Sequence, residues 1–419
     1  MKPKANISEF RRALMRVVLL TPWDQKCGNA EYSKHLVTGF SDEVEIFPID
    51  LPNLMGTRRS FGDKYKLHKD FRRILQKINE IDPDIVHIQH EFVFFGSGTS
   101  RSCVNFDWFT KRLRHPFVVT MHTLPVKLLN PDKRKLLRRI DPRRLISRFH
   151  LIRAMERARG VILHSQSTQR VLMQATKSLS DKISVCPLPI GKVEGTSAGI
   201  YTKQASDVWL TIIGFVSRYK GHLSAVELLS HLPNNFKLVI AGGFHPKEGN
   251  PEAYWSSILS KADQLNLSDR ILFTDFIKTK AEQSYYMERT DAFLLPYQEV
   301  GQSGSAVLAD CMAYNVPIIT SDAMSMIVYR TESDTCFSSS ILFSSTQESY
   351  RQTDAQREVF DFSLAASQLE RLFAAMQDQN SVQRKHRKTV QTRFSLEETC
   401  SRHLRIYNDV LGGKASGRN

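Results

Sequence analysis

Short apolar runs alternate with amphipathic stretches along this chain, and they fall into two sets. Runs of this kind are typical of strands in a parallel sheet, whose crossover connections are helical. The first set comprises Met15–Thr21, Glu45–Ile49, Ile85–Gln89, Phe117–Thr120, Val161–His164 and Ile183–Pro187. The second set comprises Trp209–Gly214, Lys237–Ala241, Ile271–Phe273, Ala292–Leu295 and Pro317–Thr320. The sequence therefore predicts an α/β protein with two doubly wound parallel-sheet domains and an active cleft between them.

The stretch between the two sets, residues 191–207, is rich in Gly, Ser, Thr and Lys and carries no apolar period. This composition is typical of a linker. We therefore divide the chain into an N-terminal extension (1–15), a first domain (16–195), a linker (196–207), a second domain (208–390), a closing helix (391–412) and a tail (413–419).

The cysteines favour a reducing compartment. The chain has six, they lie far apart and they form no C-x-x-C pair, so a disulfide framework is not indicated. The apolar run Val17–Leu20, after the basic N-terminus, is too short for a signal-peptide core or a membrane span. We expect a cytoplasmic protein, with peripheral attachment to the inner face of a membrane as an added option.

The net charge of +15 is concentrated in one half of the chain. Residues 1–200 hold 35 Lys and Arg against 19 Asp and Glu, a balance of +16, and the remainder holds 23 against 24, a balance of −1. The excess peaks over residues 133–159, which we call the basic patch. A solvated surface is one interpretation, and an anionic lipid surface or a phosphorylated acceptor is the other. Nucleic acid is not favoured, because no recognition motif accompanies the charge.

Within the basic patch, Asp141 and Pro142 are typical of an N-cap and first helical residue. Apolar residues then recur at helical spacing. We expect these apolar residues to pack inward while the arginines face solvent. They are Leu145, Ile146, Phe149, Ile152 and Met155.

A turn of small residues, Ser303, Gly304 and Ser305, follows the apolar strand 291–297 and opens a helix. The first N–H groups of a helix lack intrahelical partners, and its dipole places partial positive charge at the same point. This turn therefore predicts a phosphate site. An ordinary N-cap is the alternative.

The turns after the first strand of each set are the next candidates, because ligands of open α/β sheets bind at the carboxyl ends of strands. In the first half, Gly28 precedes a helix without a G-x-G-x-x-G pattern, which argues against a dehydrogenase. In the second half, Arg218 and Lys220 stand just before Gly221 at a helix start. Cations there oppose the helix dipole, so we expect them to clamp a diphosphate.

These motifs, in this order, resemble the retaining GT-B glycosyltransferases of family four over about residues 16–411. The resemblance implies two Rossmann-like domains, a closing helix that returns to the first domain, and transfer of a sugar from a nucleoside diphosphate donor without a metal or other cofactor. The segments that carry it are TPWDQKCGNAEYSKHL (21–36), DIVHIQHEF (84–92), VVTMHTLP (118–125), VILHSQSTQRVL (161–172), GFVSRYKGHLSAVELL (214–229), VIAGG (239–243), GQSGSAVLADCMAYNVPIIT (301–320) and FSLEETCSRHLRIYNDVL (394–411).

The resemblance also implies roles for individual residues. Lys220 and Arg218 would neutralise the departing diphosphate, and the turn from Ser303 to Ser305 would donate backbone hydrogen bonds to it. Asp310 would accept from the ribose hydroxyls, and His122 would line the sugar side of the cleft. Gly28 would let the first-domain loop approach the donor or the acceptor.

The chain departs from the family pattern at the first of two glutamates, where it has Gln302. Gln302 can bond a sugar hydroxyl but carries no charge, so the leaving-group cations or Glu299 would compensate. Phe215 stands where many members carry arginine, which Arg218 would replace. His90 and Glu91 end a first-domain strand and are acceptor-side candidates, with Glu91 as a base.

Three functions remain open at this point. The first is a glycosyltransferase that moves a sugar to a saccharide or lipid-linked acceptor in envelope or exopolysaccharide synthesis. The second is a sugar-nucleotide isomerase or hydrolase of the same fold, and the third is a scaffold without activity. The basic patch favours the transferase, because an enzyme acting on a small soluble nucleotide sugar has no use for a cationic surface that faces a membrane.

Overall fold

The computed structural model describes residues 14–25, 27–40, 43–52, 61–129, 142–191, 193, 195, 197–244, 250–298, 301–314, 316–321, 323–326, 342–343, 362–376 and 392–412. Two six-stranded sheets, one in each half of the chain, organise this part of the protein. We call residues up to 195 the first half and residues from 197 the second half.

All strands of the first sheet run parallel, in the order β2-β1-β3-β4-β5-β6. The crossovers between them are helical, as a parallel sheet requires. The strands are β1 (Met15–Thr21), β2 (Val44–Asp50), β3 (Ile85–His90), β4 (Phe117–Met121), β5 (Gly160–Leu163) and β6 (Ile183–Val185). The helices are α1 (Gly28–Gly39), α2 (Phe61–Ile81), α3 (Phe92–Phe95), α4 (Thr99–Thr110), α5 (Val126–Leu129), α6 (Pro142–Arg157) and α7 (Gln166–Ala175).

The second sheet is also parallel, in the order β12-β11-β10-β7-β8-β9. Its strands are β7 (Val208–Ile213), β8 (Phe236–Ala241), β9 (Ile271–Phe273), β10 (Ala292–Leu295), β11 (Ile318–Ser321) and β12 (Leu342–Phe343). The helices are α8 (His222–Ser230), α9 (Pro251–Gln264), α10 (Lys280–Arg289), α11 (Ala306–Cys311), α12 (Phe362–Met376) and α13 (Leu396–Leu411). The predicted fold class, two doubly wound parallel sheets, is confirmed.

Helix α13 lies on the first sheet although it comes last in the sequence. Its residues Ile406 and Tyr407 are buried with Val17 and Val118 of that sheet. Gly39 at the end of α1 leaves room for this helix, because a Cβ there would lie 2.7 Å from the Cys400 sulfur. The domain boundaries themselves stay a prediction.

The prediction of which face of α6 packs inward is wrong. The structure buries Ser147, Leu151, Ala154 and Met155, which recur along one face of the helix. Small residues on that face let the helix approach its neighbours closely. On the same side of the helix, Arg157 donates a 2.5 Å hydrogen bond to Asp107 of α4, which helps to fix its rotation.

The rotation of α6 leaves three of the five predicted core residues in solvent. Leu145 is 46% exposed, Ile146 53% and Phe149 55%. Only Met155 is fully buried, and Ile152 is partly buried against the core.

Within the described ranges, no helix combines the length and apolar character needed to span a bilayer.

Candidate active site

The carboxyl edges of the two sheets are joined directly by backbone hydrogen bonds. The turn after β10 pairs with the turn after β4: Leu124 donates its N–H to the Gly301 carbonyl at 2.6 Å, and Ser303 donates its N–H to the His122 carbonyl at 2.8 Å. Thr123 and Gln302 form an antiparallel bridge between these two bonds. The sequence therefore brings Gln302, Ser303 and His122 to one place, from positions about 180 residues apart.

Gly301 makes this pairing possible. Its φ is +107°, and a Cβ there would lie 2.2 Å from the Leu124 carbonyl oxygen. A side chain would collide with backbone that cannot move aside, in a conformation that L-residues rarely adopt.

The turn of small residues serves several purposes. Ser305 caps α11, its hydroxyl accepting the Leu308 N–H at 3.2 Å, as the alternative interpretation held. Ser303 holds the two halves together, because its hydroxyl also donates to the Met121 carbonyl at 2.8 Å. Gly304 lies against the first half, where a Cβ would be 2.9 Å from that of His164. The turn thus faces the wall formed by His122 and His164.

His122 is buried and both of its ring nitrogens are engaged. Its Nε2 lies 2.7 Å from the side-chain amide of Gln89, and its Nδ1 lies 3.1 Å from Nε2 of His164. The edge-on ring of Tyr32 packs against both imidazoles at 5.5 Å between ring centroids. Burial lowers the pKa of His122 well below its ordinary value, so this histidine is neutral at physiological pH.

The proton positions in this cluster follow from one carbonyl. Nδ1 of His164 lies 2.8 Å from the Cys186 carbonyl, which can only accept, so Nδ1 carries the proton. Nε2 of His164 therefore accepts from Nδ1–H of His122. A neutral His122 then has a lone pair at Nε2, and Gln89 must turn the NH₂ end of its amide toward it.

The cluster continues to the closing helix. His87 lies 2.8 Å from the Thr120 hydroxyl and 3.3 Å from the Gln89 amide, and its other nitrogen is 2.7 Å from the hydroxyl of Tyr407. Burial lowers the pKa of His87 as well. A continuous chain of hydrogen bonds thus runs from α13 to the cleft side of His122.

Lys220 is a buried cation of the second half. Its ammonium donates to the Ile213 carbonyl at 3.0 Å, at the carboxyl end of β7, and burial lowers its pKa to about 8. Gly214 leaves room for it, because a Cβ there would lie 2.5 Å from Nζ and 3.6 Å from Val307 of α11. Lys220 therefore stands beside the start of α11, where the sequence analysis expected a diphosphate.

The side chain of Arg218 does not lie beside that of Lys220. Its side chain is exposed, and its guanidinium lies 4.9 Å over the ring of Tyr254 on α9. The expectation that Arg218 replaces an arginine at position 215 is corrected by this geometry, because the two cations leave the same short turn in different directions. Phe215 packs near Phe276, 6.5 Å between ring centroids.

Asp310 lies where the second half meets Gly191, near the end of the first half. A Cβ on Gly191 would lie 2.4 Å from its carboxylate oxygen. Burial raises the pKa of Asp310 to about 6, with Lys280 acting against this shift and Glu31 adding to it. Glu31 and Lys280 themselves form a 3.6 Å ion pair between α1 and α10. Gly28, at the start of α1, has no atom within 4 Å of a Cβ position.

The two acceptor-side candidates, His90 and Glu91, lie in different surroundings. His90 is corrected: its imidazole is fully buried, stacked on Phe95 and close to Phe106, so it cannot meet an acceptor. Glu91 instead accepts a 2.6 Å hydrogen bond from the hydroxyl of Thr123, the residue whose backbone pairs with Gln302. Burial raises the pKa of Glu91 to about 7.

Two family descriptions match consecutive parts of the chain. They are Glycosyltransferase Family 4, over residues 7–191, and Glycosyl transferases group 1, over residues 200–334. The chain belongs to the family-four glycosyltransferases. No curated protein sequence matches this glycosyltransferase.

Several solved structures share the fold of this glycosyltransferase. A sucrose-phosphate synthase from Thermosynechococcus elongatus has a TM-score of 0.68 at 14% identity, with 96% of this chain and 100% of that chain covered. Anabaena HepE in complex with UDP and glucose has a TM-score of 0.63 at 13% identity, with 93% and 98% covered. The lipopolysaccharide outer core galactosyltransferase WaaB has 0.58 at 13%, with 95% and 99% covered. At these identities the likeness shows the GT-B fold.

Glu299 was expected to compensate for the charge that Gln302 lacks. It lies outside the described residues. Among the described residues no group of three His, Cys, Asp or Glu side chains is arranged to hold a metal ion.

Sequence reasoning missed two members of the site, Gln89 and His164. His164 ends β5 as His122 ends β4, so its position in the strand was a usable signal. Gln89 points to the site from within β3, which period-two alternation could have indicated.

Proposed function

We propose that this glycosyltransferase moves a sugar from a nucleoside diphosphate donor to a saccharide or lipid-linked acceptor, with retention of configuration and without a metal ion. The observation that carries the proposal is the buried ammonium of Lys220 at the end of β7, beside the start of α11. A desolvated cation at that point stabilises negative charge more strongly than a solvated one does. Negative charge on a departing diphosphate is what the reaction produces.

In the proposed reaction the bond between the anomeric carbon and the diphosphate oxygen breaks, and the acceptor oxygen bonds to the same carbon. Lys220 offsets the charge that the diphosphate gains. The acceptor hydroxyl loses its proton to Glu91, whose pKa of about 7 suits a general base near neutral pH. Gln302, paired through its backbone with Thr123, offers an amide to a sugar hydroxyl.

The donor side of the proposal is also supported by a structural neighbour, since HepE was solved with UDP and with UDP-glucose. Asp310 would accept hydrogen bonds from the ribose. The first-half wall of His122 and His164 would bound the sugar. A role in envelope or exopolysaccharide synthesis is proposed on the charge of the first half and on the likeness to the lipopolysaccharide enzyme WaaB.

The proposal is tested first by ligand binding. UDP, GDP, ADP and their sugar conjugates are titrated with EDTA present, on the wild type, Lys220→Ala and a control, Lys261→Ala. Lys261 is also a lysine in the second half but forms an ion pair with Glu227 on the neighbouring helix. We expect one nucleotide to raise the melting temperature of wild type and control but not of Lys220→Ala. Stabilisation of all three proteins alike would contradict the role of Lys220.

The product then tests the chemistry. Proton NMR of the transferred sugar distinguishes retention from inversion by the anomeric coupling. Release of free sugar without an acceptor, at the rate seen with one, would instead favour the hydrolase. Nucleotide binding without any turnover would favour the scaffold and would make Gln302 the first position to change, to Glu.

A further inference from the structure

One face of α6 presents apolar side chains to solvent. Leu145, Ile146 and Phe149 are spaced one, three and four residues apart, so they lie together on a helix, and about half of each side chain is exposed. Contiguous exposed apolar groups of this kind mark interaction surfaces more often than isolated ones do. We call these three residues the apolar face of α6.

The opposite side of α6 is already firmly bound to the protein. Leu151, Ala154 and Met155 are fully buried there. Hydrogen bonds hold the helix on two neighbours, from Arg157 to Asp107 of α4 and from Arg148 to the Ala175 carbonyl at the end of α7. The apolar face is therefore not a core surface that rotation of the helix would cover.

The charge of α6 identifies what would cover this face. The helix carries five arginines and one glutamate, and the guanidinium of Arg153 lies 5.1 Å over the ring of Phe149. A second copy of the chain would bring two equally cationic helices together, which is unfavourable. An anionic bilayer satisfies both features at once, because its headgroups attract arginine while its acyl boundary takes apolar side chains.

The position of the face agrees with a lipid surface near the acceptor. Helix α6 leads from β4 to its parallel neighbour β5, so it runs against the strands and begins near their carboxyl edge. The apolar face lies in the first eight residues, within about 12 Å of that end at 1.5 Å per residue. The same edge carries His122 and Glu91.

We propose that α6 is an interfacial anchor, with Leu145, Ile146 and Phe149 inserted at the headgroup boundary of an anionic bilayer and the flanking arginines among the headgroups. The anchor places the first-half side of the cleft next to lipid, where a lipid-linked acceptor would be held. Only this purpose rests on the proposed function, because the binding itself needs neither donor nor acceptor.

The full chain is floated with vesicles of phosphatidylcholine alone and of phosphatidylcholine with phosphatidylglycerol, in low and high salt. We expect binding to the anionic vesicles only, weakened but not abolished by salt. The triple variant Leu145→Ser, Ile146→Ser, Phe149→Ser should bind at least tenfold more weakly at either salt concentration. The control is Leu259→Ser, on α9 in the second half, where the side chain is 42% exposed, and it should bind as the wild type does.

A second measurement separates insertion from surface attraction. Phe149→Trp is expected to add blue-shifted emission on vesicle binding and to be quenched by bromine on the upper acyl chain, whereas Leu259→Trp is not. Because all the changed side chains are exposed, circular dichroism should show each variant folded.

Three results would overturn the proposal: wild-type protein that ignores anionic vesicles, a triple variant that binds them normally, or a wild-type dimer in solution that the triple variant loses. Transfer to a soluble acceptor distinguishes this proposal from the previous one. The triple variant should keep that activity, and loss of vesicle binding with activity intact would leave the proposed function untouched.

Discussion

The two sheet edges that meet in the cleft are built on different plans. At the edge of the first sheet, polar side chains bind one another: His122 has Gln89 on one side and His164 on the other. At the edge of the second sheet, the Lys220 ammonium donates to a backbone carbonyl and lies 5.9 Å over the ring of Tyr297, without an ion-pair partner among the described side chains. The hydrogen bonds of His122 and His164 are made before any ligand arrives, whereas the second edge carries a charge that an anionic ligand would pair with.

This contrast gives the two halves different roles in the site. A network with every nitrogen engaged resists rearrangement, because breaking one bond leaves a buried polar group unpaired. Such a network is suited to forming a rigid wall of the cleft. A desolvated ammonium is suited to stabilising negative charge, and its lowered pKa reflects the burial that removes water from it.

Lys220→Ala removes the charge of the second edge and should have the largest effect. We expect kcat/KM for glycosyl transfer to fall by about 10³-fold, the scale seen when a preorganised charge-stabilising group is removed. The wild type should also lose donor affinity as pH rises through about 8, because the folded-state pKa of this lysine lies below its ordinary value and the ammonium is charged only below it. Steady-state kinetics and titration calorimetry between pH 6.5 and 9 measure both. An unchanged pH profile in the variant would show that Lys220 is not the titrating group.

Gly301→Ala tests the junction where the edges meet. The new methyl group would lie 2.2 Å from the Leu124 carbonyl oxygen at a φ of +107°, so we expect a loss of about 2–3 kcal/mol in the free energy of unfolding. Gly28→Ala is the matched control, since its Cβ position has no neighbour within 4 Å, and it should stay within about 0.5 kcal/mol of the wild type. Equal stability of the two variants would mean that the halves do not pair in this way.

Glu91→Gln sharpens the comparison, because Glu91 is a titratable group of the first edge. Its pKa is raised to about 7 in the folded protein, so the native state binds more protons than the unfolded chain between about pH 4.5 and 7. Wild-type stability should therefore fall by about 3 kcal/mol as pH rises through that window. The variant should lack this fall and, if Glu91 is the base, transfer more slowly at pH 8. Urea unfolding across pH, paired with rates, checks both, and parallel stability curves would refute the raised pKa.

Tyr407→Phe should give the smallest effect. It removes the hydroxyl 2.7 Å from His87 while keeping the buried ring, and we expect a loss of about 1 kcal/mol in the free energy of unfolding with little change in KM for the donor. Nitrogen NMR of His87 should show a change of tautomer population. A change in donor KM larger than the change in stability would mean that the network reaches the second edge as well.

All strands except β12 could be predicted from sequence, because each of those is a local apolar run with a clear boundary, whereas Leu342–Phe343 was not among the predicted runs. The Lys220 turn was also predictable, since a cation before a helix start is unusual in itself. The hydrogen-bond network was not, because His87 and Tyr407 are 320 residues apart and neither departs from an ordinary core residue locally. The prediction for α6 failed for another reason: its sequence holds two helical stripes, and its contacts with neighbouring helices, α4 above all, decide which stripe is buried.

Because α13 returns to the first sheet, the chain crosses between the halves twice, once through the linker and once on the way back. Separation of the halves is therefore limited by two covalent connections, and opening of the cleft would first break the backbone hydrogen bond between Leu124 and Gly301.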